Sequence, residues 1–439
     1  MFQVLQTNKV GTSMLHKKVG NTGLLIIKNS IFGMSGSIIS QAIAMITSIV
    51  MGRIVGAEGL GTYSFALTTA AILFIFLNCG LGGIFQRDVA QDNSLASKYY
   101  ANSLFIRVCI AIPAGLLLTV ALAFAFKKAA QMEIMLLSCL YSGLSGIFTL
   151  VIGGVTAFEN FKAHSIFSVV EKVFILLATI VSLLLTKSIM VMLICHNIVF
   201  AVLISSSLLF VNKKYCKVFA TIDIKFCKNY IKESVPQVLS AAAEFINLKS
   251  DLLVLSLLIS DVATGLYTVS SNVYIAASTI PLAVAKASTP TFNRMIGEAK
   301  NPRSMVRKSF ILMEGLSIAI CLCVVAFARI GILLLWGEGF EGSIVLLQVL
   351  SVSLLFMPLN RFFGYMLVGL KKQKVVAKCT WIGTIANLVG NFILVPIIGI
   401  VAVAYTTIVT ELLVTVVEFF VLYKKTNYFK KMKDDESFK

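Results

Sequence analysis

The sequence predicts an all-α integral membrane protein with 12 transmembrane helices in two six-helix bundles, related by a parallel internal repeat, and with both termini in the cytoplasm. Three observations carry that prediction. Of the 439 residues, 58% are hydrophobic and only 13% charged, whereas a soluble domain carries about 25% charged residues. Apolar runs of about 18 residues or more recur along the whole chain, long enough to cross roughly 30 Å of hydrocarbon as helix. The basic residues collect at alternate breaks between those runs, which is how positive charge orients a protein in a bilayer.

Reading the runs against their polar breaks places spans near 29–52, 63–86, 101–126, 133–157, 165–186 and 189–211. The series resumes near 233–259, 263–290, 309–335, 343–369, 375–399 and 400–423. The chain thus divides into an N-terminal segment 1–28, a bundle 29–211, a basic linker 212–232, a second bundle 233–423 and a basic tail 424–439. With the N-terminus inside, the inward segments hold Lys9 to Lys28, Arg87, Lys98, Lys162, the lysines from Lys213 to Lys232, Arg294 to Lys308, Lys371 to Lys378 and the tail. The outward ones hold only Arg53, Lys127, Lys128, Lys187 and Arg329. One misplaced span would invert the pattern downstream, and no inversion occurs. The halves also resemble each other: Gly61-Thr62-Tyr63-Ser64 and Gly265-Leu266-Tyr267-Thr268 stand 204 residues apart at the starts of spans two and eight. Six spans followed by six, both sets starting inside, form a parallel repeat, and such bundles place a substrate path at their interface.

Several function classes are excluded or disfavoured. The net charge of +18 lies between spans and lacks the interleaved aromatics of a nucleic-acid platform. The nine cysteines have no metal or redox spacing. No GxxxxGK[ST] motif occurs, so this chain is not expected to hydrolyse ATP. No cofactor is expected, and the chain does not read as an enzyme. A polytopic glycan polymerase or glycosyltransferase would carry a sizeable outward loop with catalytic acids or histidines, whereas the acids here (Glu58, Glu133, Asp261, Glu338, Glu341) are scattered over short outward loops.

Polar residues inside spans are costly unless paired or facing a cavity, which makes them functional candidates. In span seven Ser240, Glu244, Asn247 and Asp251 fall on one helical face, and Thr380, Thr384, Asn387 and Asn391 repeat that spacing in span eleven. Span one offers Ser30, Ser37, Gln41 and Ser48, and span eight Ser271, Tyr274 and Ser278. Such stripes suit either a hydrated cavity or tight interhelical packing. Arg361 in span ten lies about ten residues before Lys371, roughly 15 Å deep at 1.5 Å per residue, and needs an anion there. Either a carboxylate such as Glu411 or a substrate group could serve. Lys249 could pair with Asp251. Arg53 and Arg87 sit at span ends, where snorkelling, a gate or a surface salt bridge fits them. Glu171 and Glu314 are expected in the first turns of their helices, and His196 is either a proton carrier or a structural histidine. Glu244 and Asp251 are the candidates for ion coupling.

Several segments bear a family resemblance. Met51-Gly52-Arg53-Ile54-Val55-Gly56-Ala57-Glu58-Gly59-Leu60-Gly61-Thr62-Tyr63-Ser64 resembles the link between the first two helices of Wzx-type oligosaccharide flippases. These are the polysaccharide transporter branch of the multidrug/oligosaccharidyl-lipid/polysaccharide exporter superfamily. Gly80-Leu81-Gly82 with Gln86-Arg87-Asp88, Asp251 with Gly265-Leu266-Tyr267, Trp336-Gly337-Glu338-Gly339-Phe340, and Asn387 to Asn391 with Pro396 and Gly399 are similar to later segments of that family, in order. The resemblance implies movement of undecaprenyl-pyrophosphate-linked oligosaccharide repeat units across a bacterial cytoplasmic membrane for surface polysaccharide biosynthesis, with other polysaccharide assembly proteins as partners. It implies basic residues (Arg361, Lys249, Arg53 and Arg87) as the pyrophosphate site. Gln41, Ser240, Asn247, Tyr274, Asn387 and Asn391 would then line the cavity for sugars. A multidrug cation antiporter of the same fold is the nearest alternative, and a peptidoglycan-precursor flippase is a third.

Overall fold

A computed structural model describes the backbone of residues 4–425 except Cys79 and Ala299, and the side chains of residues 35–424 except those two and Ser240. All regular elements among them are helical. Helix α1 (Val4–Leu77) folds at Gly56, whose φ of 69° and ψ of −173° are open to glycine alone without strain. Its second limb breaks at Asn78–Gly80 and continues as α2 (Leu81–Gln91). Helices α3 (Ala96–Phe105) and α4 (Ile112–Ala125) are joined by a π-helical turn, Ile106–Ala111, just ahead of Pro113, whose missing N–H disturbs the ladder there. Then follow α5 (Met132–Gly154), α6 (Phe161–Thr186) and α7 (Ile189–Lys214).

The second half contains α8 (Ile224–Leu258), α9 (Asp261–Gly297), α10 (Arg303–Leu335), α11 (Gly342–Ser351), α12 (Met357–Gly369), α13 (Gln373–Ile398) and α14 (Ala402–Lys425). Among the described residues nine stretches are long and apolar enough to cross a membrane. Two of them, Ser35–Leu77 and Gln373–Lys424, each double back at a positive-φ glycine, Gly56 and Gly399. Helix α8 is not among the nine, and Lys225, Lys228, Lys232, Glu233, Glu244, Lys249 and Asp251 all lie on it.

Two expectations need correcting. The basic segment 212–232 is not wholly a linker, since α8 begins at Ile224 and only residues 215–223 lie between helices. Asp223 starts the helix by accepting a hydrogen bond from Phe226 N at 2.9 Å. Glu171 and Glu314 are not in first turns, because α6 and α10 begin about three turns before them, at Phe161 and Arg303. The dipole therefore does not explain either carboxylate. Glu171 pairs with Lys172 at 2.8 Å, and Glu314 Oε1 is buried without a partner.

Aliphatic side chains such as Leu117, Leu185 and Ile397 point outward and remain more than two-thirds exposed, as lipid-facing residues do. One apolar core, containing Met51 and Leu60 of α1 with Leu255, Tyr267, Trp336 and Leu350, draws on both halves of the chain. There the two helices bearing the repeated motif cross. A Cβ on Gly61 would collide with the Asp261 carbonyl, and one on Gly265 with the Ala57 carbonyl. Gly61 and Gly265, and likewise Ala57 and Asp261, are separated by the same 204 residues. The contact is thus reciprocal, as a two-fold relation demands, and both partners use a four-residue spacing with glycine at its end.

Candidate functional site

Helices α8, α12, α13 and α14 flank a small open pocket, with room for about one water molecule, lined by Glu244, Asn247, Asn360, Arg361, Thr380 and Glu411 among others. Its geometry begins with Pro358. The turn Val352–Leu355 ends the preceding helix in mid-stretch, and Pro358, lacking an N–H, suits the first turn of α12. Asn360 and Arg361 therefore sit near a helix N-terminus deep in the bundle, where the backbone dipole also favours negative charge. Arg361 Nη1 lies 3.0 Å from Glu244 Oε1 of α8. Asn360 Nδ2 donates to Glu411 Oε2 of α14 at 2.8 Å. Asn247 lines the same cavity, and its Oδ1 is buried without a partner among the described residues. Of the two anions considered for Arg361, the carboxylate is present, though it comes from Glu244 rather than Glu411.

A second constellation surrounds Asp251, which is 2% exposed. Asn391 Nδ2 donates to its Oδ1 at 2.6 Å, Thr407 Oγ1 to its Oδ2 at 3.4 Å, and the Tyr267 hydroxyl also donates to Oδ2. Asn391 Nδ2 reaches Asn387 Oδ1 at 3.1 Å, Ser250 Oγ donates to the same Asn387 oxygen at 3.3 Å, and the Thr406 hydroxyl donates to Asn391 Oδ1. Four helices (α8, α9, α13 and α14) thus converge on one carboxylate held by neutral donors, a network costly to leave incomplete. Lys249 makes no ion pair with Asp251 among the described residues, although it is near enough to act on it electrostatically.

The remaining candidates lie elsewhere. Arg53 donates Nε to the Leu335 carbonyl at 2.7 Å and its Nη2 to the Leu334 carbonyl, so it caps the C-terminus of α10. Arg87 contacts Asp88 Oδ1 at 2.6 Å and Glu233 Oε1 at 2.7 Å. These carboxylates make Arg87 more basic, and Arg87 in turn holds Asp88 below the usual carboxylate range. Gln41 is exposed on α1, Tyr274 is buried on α9, and the Ser240 side chain falls outside the described residues. His196 is fully buried, with Nε2 2.9 Å from Thr179 Oγ1 and Nδ1 unpartnered.

The residues overlooked in the sequence are mainly those of α14. Thr407, Thr410 and Val414 stand at helical spacings with Glu418 and with Glu411, the carboxylate already considered for Arg361, the same signal that marked α8 and α13. Asn360 was legible only as a neighbour of Arg361.

The ends of the interface between the halves differ. Around the Gly61–Gly265 crossing, the Asp261 carboxylate accepts from Lys128 Nζ at 2.8 Å, Gln131 Nε2 at 2.5 Å, Thr62 Oγ1 at 3.2 Å and the Ser256 hydroxyl. Gly52 packs on Trp336, and Asn272 Nδ2 donates to Ser48 Oγ at 3.2 Å. That end is shut by backbone contact and a hydrogen-bonded carboxylate. Toward the opposite end, α2 and α8 meet through the buried Tyr230 hydroxyl, which donates to the Leu81 carbonyl at 2.6 Å, the close packing of Val238 on Gly80, and the half-exposed Arg87–Glu233 pair.

A helical membrane protein whose halves meet at both ends of their interface, with a small polar pocket between helices of the second half, has the architecture of a transporter. The same fold occurs in lipid II flippase MurJ in an inward closed conformation, with a TM-score of 0.71 at 14% identity, covering 90% of this chain and 87% of that one. A multidrug resistance MATE family transporter of the MOP superfamily matches in its inward-facing conformation with a TM-score of 0.68, at 14% identity over 90% of this chain and 96% of that one. An outward-facing conformation of such a transporter matches at 0.56, with 16% identity over 93% and 97%. No curated protein matches the chain in sequence. Residues 236–393 match the MatE family, and residues 26–296 match the family described as "Polysaccharide biosynthesis protein". The latter match covers more than half of the chain, which therefore belongs to the polysaccharide biosynthesis protein family.

Proposed function

We propose that this protein is a flippase that carries polyprenyl-pyrophosphate-linked oligosaccharide repeat units from the inner to the outer leaflet of a bacterial cytoplasmic membrane. Twelve spans with both termini inside would be grouped as bundles 29–211 and 233–423, which rock about the reciprocal Gly61–Gly265 contact. The observation that carries this reading is the family match over residues 26–296, together with an interface shut at the end that the charge pattern assigns to the outside. The lipid tail would stay in hydrocarbon while the head group passes between the halves, which lowers the cost of moving its charge and hydroxyls. Arg361 would meet the pyrophosphate by exchanging Glu244 for it, and Lys249 would add a second cation. Asn247 and Tyr274 would offer sugar contacts, and Asp251 and Glu244 would couple transport to an ion. Arg53 and Arg87 fit gate roles, one at each end.

A specific observation favours a second reading, export of an organic cation. Glu244 and Glu411 border the cavity beside a single arginine, and the helices that form it lie within or beside the MatE match over residues 236–393. The deciding experiment reconstitutes the protein in vesicles with a fluorescent polyprenyl-pyrophosphate oligosaccharide and follows its exposure to an external glycosidase. Protein-dependent exposure supports the flippase. Absence of exposure, in vesicles that pump an organic cation, overturns it in favour of the exporter.

A further inference from the structure

Glu418 is unused by the reading above and is the most enclosed glutamate of the cluster. It lies seven residues after Glu411 on α14, hence on the same face, and is 1% exposed. Its Oε2 has no hydrogen-bond partner among the described residues. A Cβ added to Gly364, three residues after Arg361 on α12, would stand 3.7 Å from both carboxylate oxygens, which places the acid directly against α12. The charged and titratable groups that act on it are Arg361 of α12, Glu411 of α14 and Cys379 of α13. Helix α11 and the turn Val352–Leu355, which also pack on α14, contain no titratable residue. Arg361 is already engaged by Glu244, and Glu411 is held by the neutral amide of Asn360.

Three glutamates therefore share one guanidinium, and the deepest has an oxygen facing no donor. An isolated carboxylate charge in such surroundings is prohibitively costly, whereas the neutral acid is not. We infer that Glu418 is a proton-binding site, loaded in this shut state and exchanging with the Glu244–Arg361–Glu411 cavity when the halves move. A substrate anion that draws Arg361 away from Glu244 changes the positive charge near Glu418, which links the proton to the cargo. The proton binding stands on the geometry alone, and its use in coupling rests on the carrier reading.

The test is infrared difference spectroscopy of the protein in lipid nanodiscs, read in the C=O stretch of protonated carboxylic acids, alongside vesicle translocation under an imposed pH gradient. Glu418→Gln should remove a band that wild type and Glu411→Gln retain, and should make translocation insensitive to the gradient. Glu418→Asp, which keeps the acid, should shift the band and guards against a glutamine variant that fails to fold. An unchanged band in Glu418→Gln overturns the site, and unchanged gradient sensitivity overturns the coupling. Vesicles that move no lipid-linked oligosaccharide with wild-type protein refute the carrier reading, while the band still decides the site.

Discussion

The two halves of the chain share a helix plan but not an interior. The α8 stripe of Ser240, Glu244, Asn247 and Asp251 corresponds, 204 residues earlier on α1, to Gly36, Ser40, Ile43 and Thr47. One stripe carries two carboxylates and its counterpart none. In the first half, Glu171 is neutralised at 2.8 Å by the adjacent Lys172, and His196 is satisfied on one nitrogen by Thr179. In the second half, Asp251, Glu411 and Glu418 are buried against neutral or distant partners. Where the halves do match, at Gly61 and Gly265, they build the shut end of the interface. The repeat thus supplies the close contact between the halves, and the departure from the repeat supplies the buried carboxylates.

The largest effect should come from breaking the matched contact. Gly265→Leu places a side chain where the Ala57 carbonyl lies, and overpacking typically costs about 1–3 kcal/mol. Closure should then be disfavoured roughly 10- to 100-fold, read as lost translocation with normal protein abundance. Gly61→Leu should behave alike, and a tolerated leucine at either position would break the comparison.

Next come the unmatched charges. Arg361→Gln removes the ion pair with the more than half-exposed Glu244 and should lower translocation about tenfold through the cargo site rather than through stability. The double variant Arg361→Gln/Glu244→Gln sharpens the result. Recovered translocation would make the pair structural, and continued loss would tie Arg361 to the cargo. Asp251→Ala should lower the unfolding midpoint in detergent by removing the acceptor of the Tyr267 hydroxyl and of one Asn391 amide hydrogen, at about 1–3 kcal/mol. Asp251→Asn should retain most of that stability and still lose coupling.

The smallest effect concerns pH at the cytoplasmic end. Asp88 is held low chiefly by Arg87, and Asp223 by the Phe226 backbone N–H and then Lys98. A carboxylate whose folded value lies below its unfolded one stabilises the protein above the unfolded value, about 3.9 for aspartate, and loses that contribution as pH falls through the folded value. The unfolding temperature should therefore be level near neutrality and decline below about pH 4, by little because Arg87 and the Lys98–Asp223 pair are exposed.

Much of this was legible in the residues. Helix content follows from apolar runs, since the backbone must satisfy itself wherever water is absent. Asn387 and Asn391 stood out on one face of span eleven; Asn391 does meet Asp251, and Asn387 joins the network through Asn391. Arg361 was rightly seen to need an anion, but periodicity along one helix cannot say which neighbour supplies it. Glu244 and Glu411 lie on different helices, 117 and 50 residues from Arg361 in sequence, and only packing ranks them. Gly56 and Gly399 looked like ordinary breaks, because a positive φ leaves no mark on composition.

By itself the sequence determined the membrane class, the helical runs and the duplicated glycine motif, because burial in hydrocarbon and close helix contact each restrict which residues are allowed locally. Only the tertiary structure decided that Arg53 caps α10, that Glu244 answers Arg361, that the two glycines meet each other and that Glu418 Oε2 lies without a partner among the described residues. Those are relations between side chains brought together by helix packing, and their energies depend on distances that no one-dimensional pattern contains.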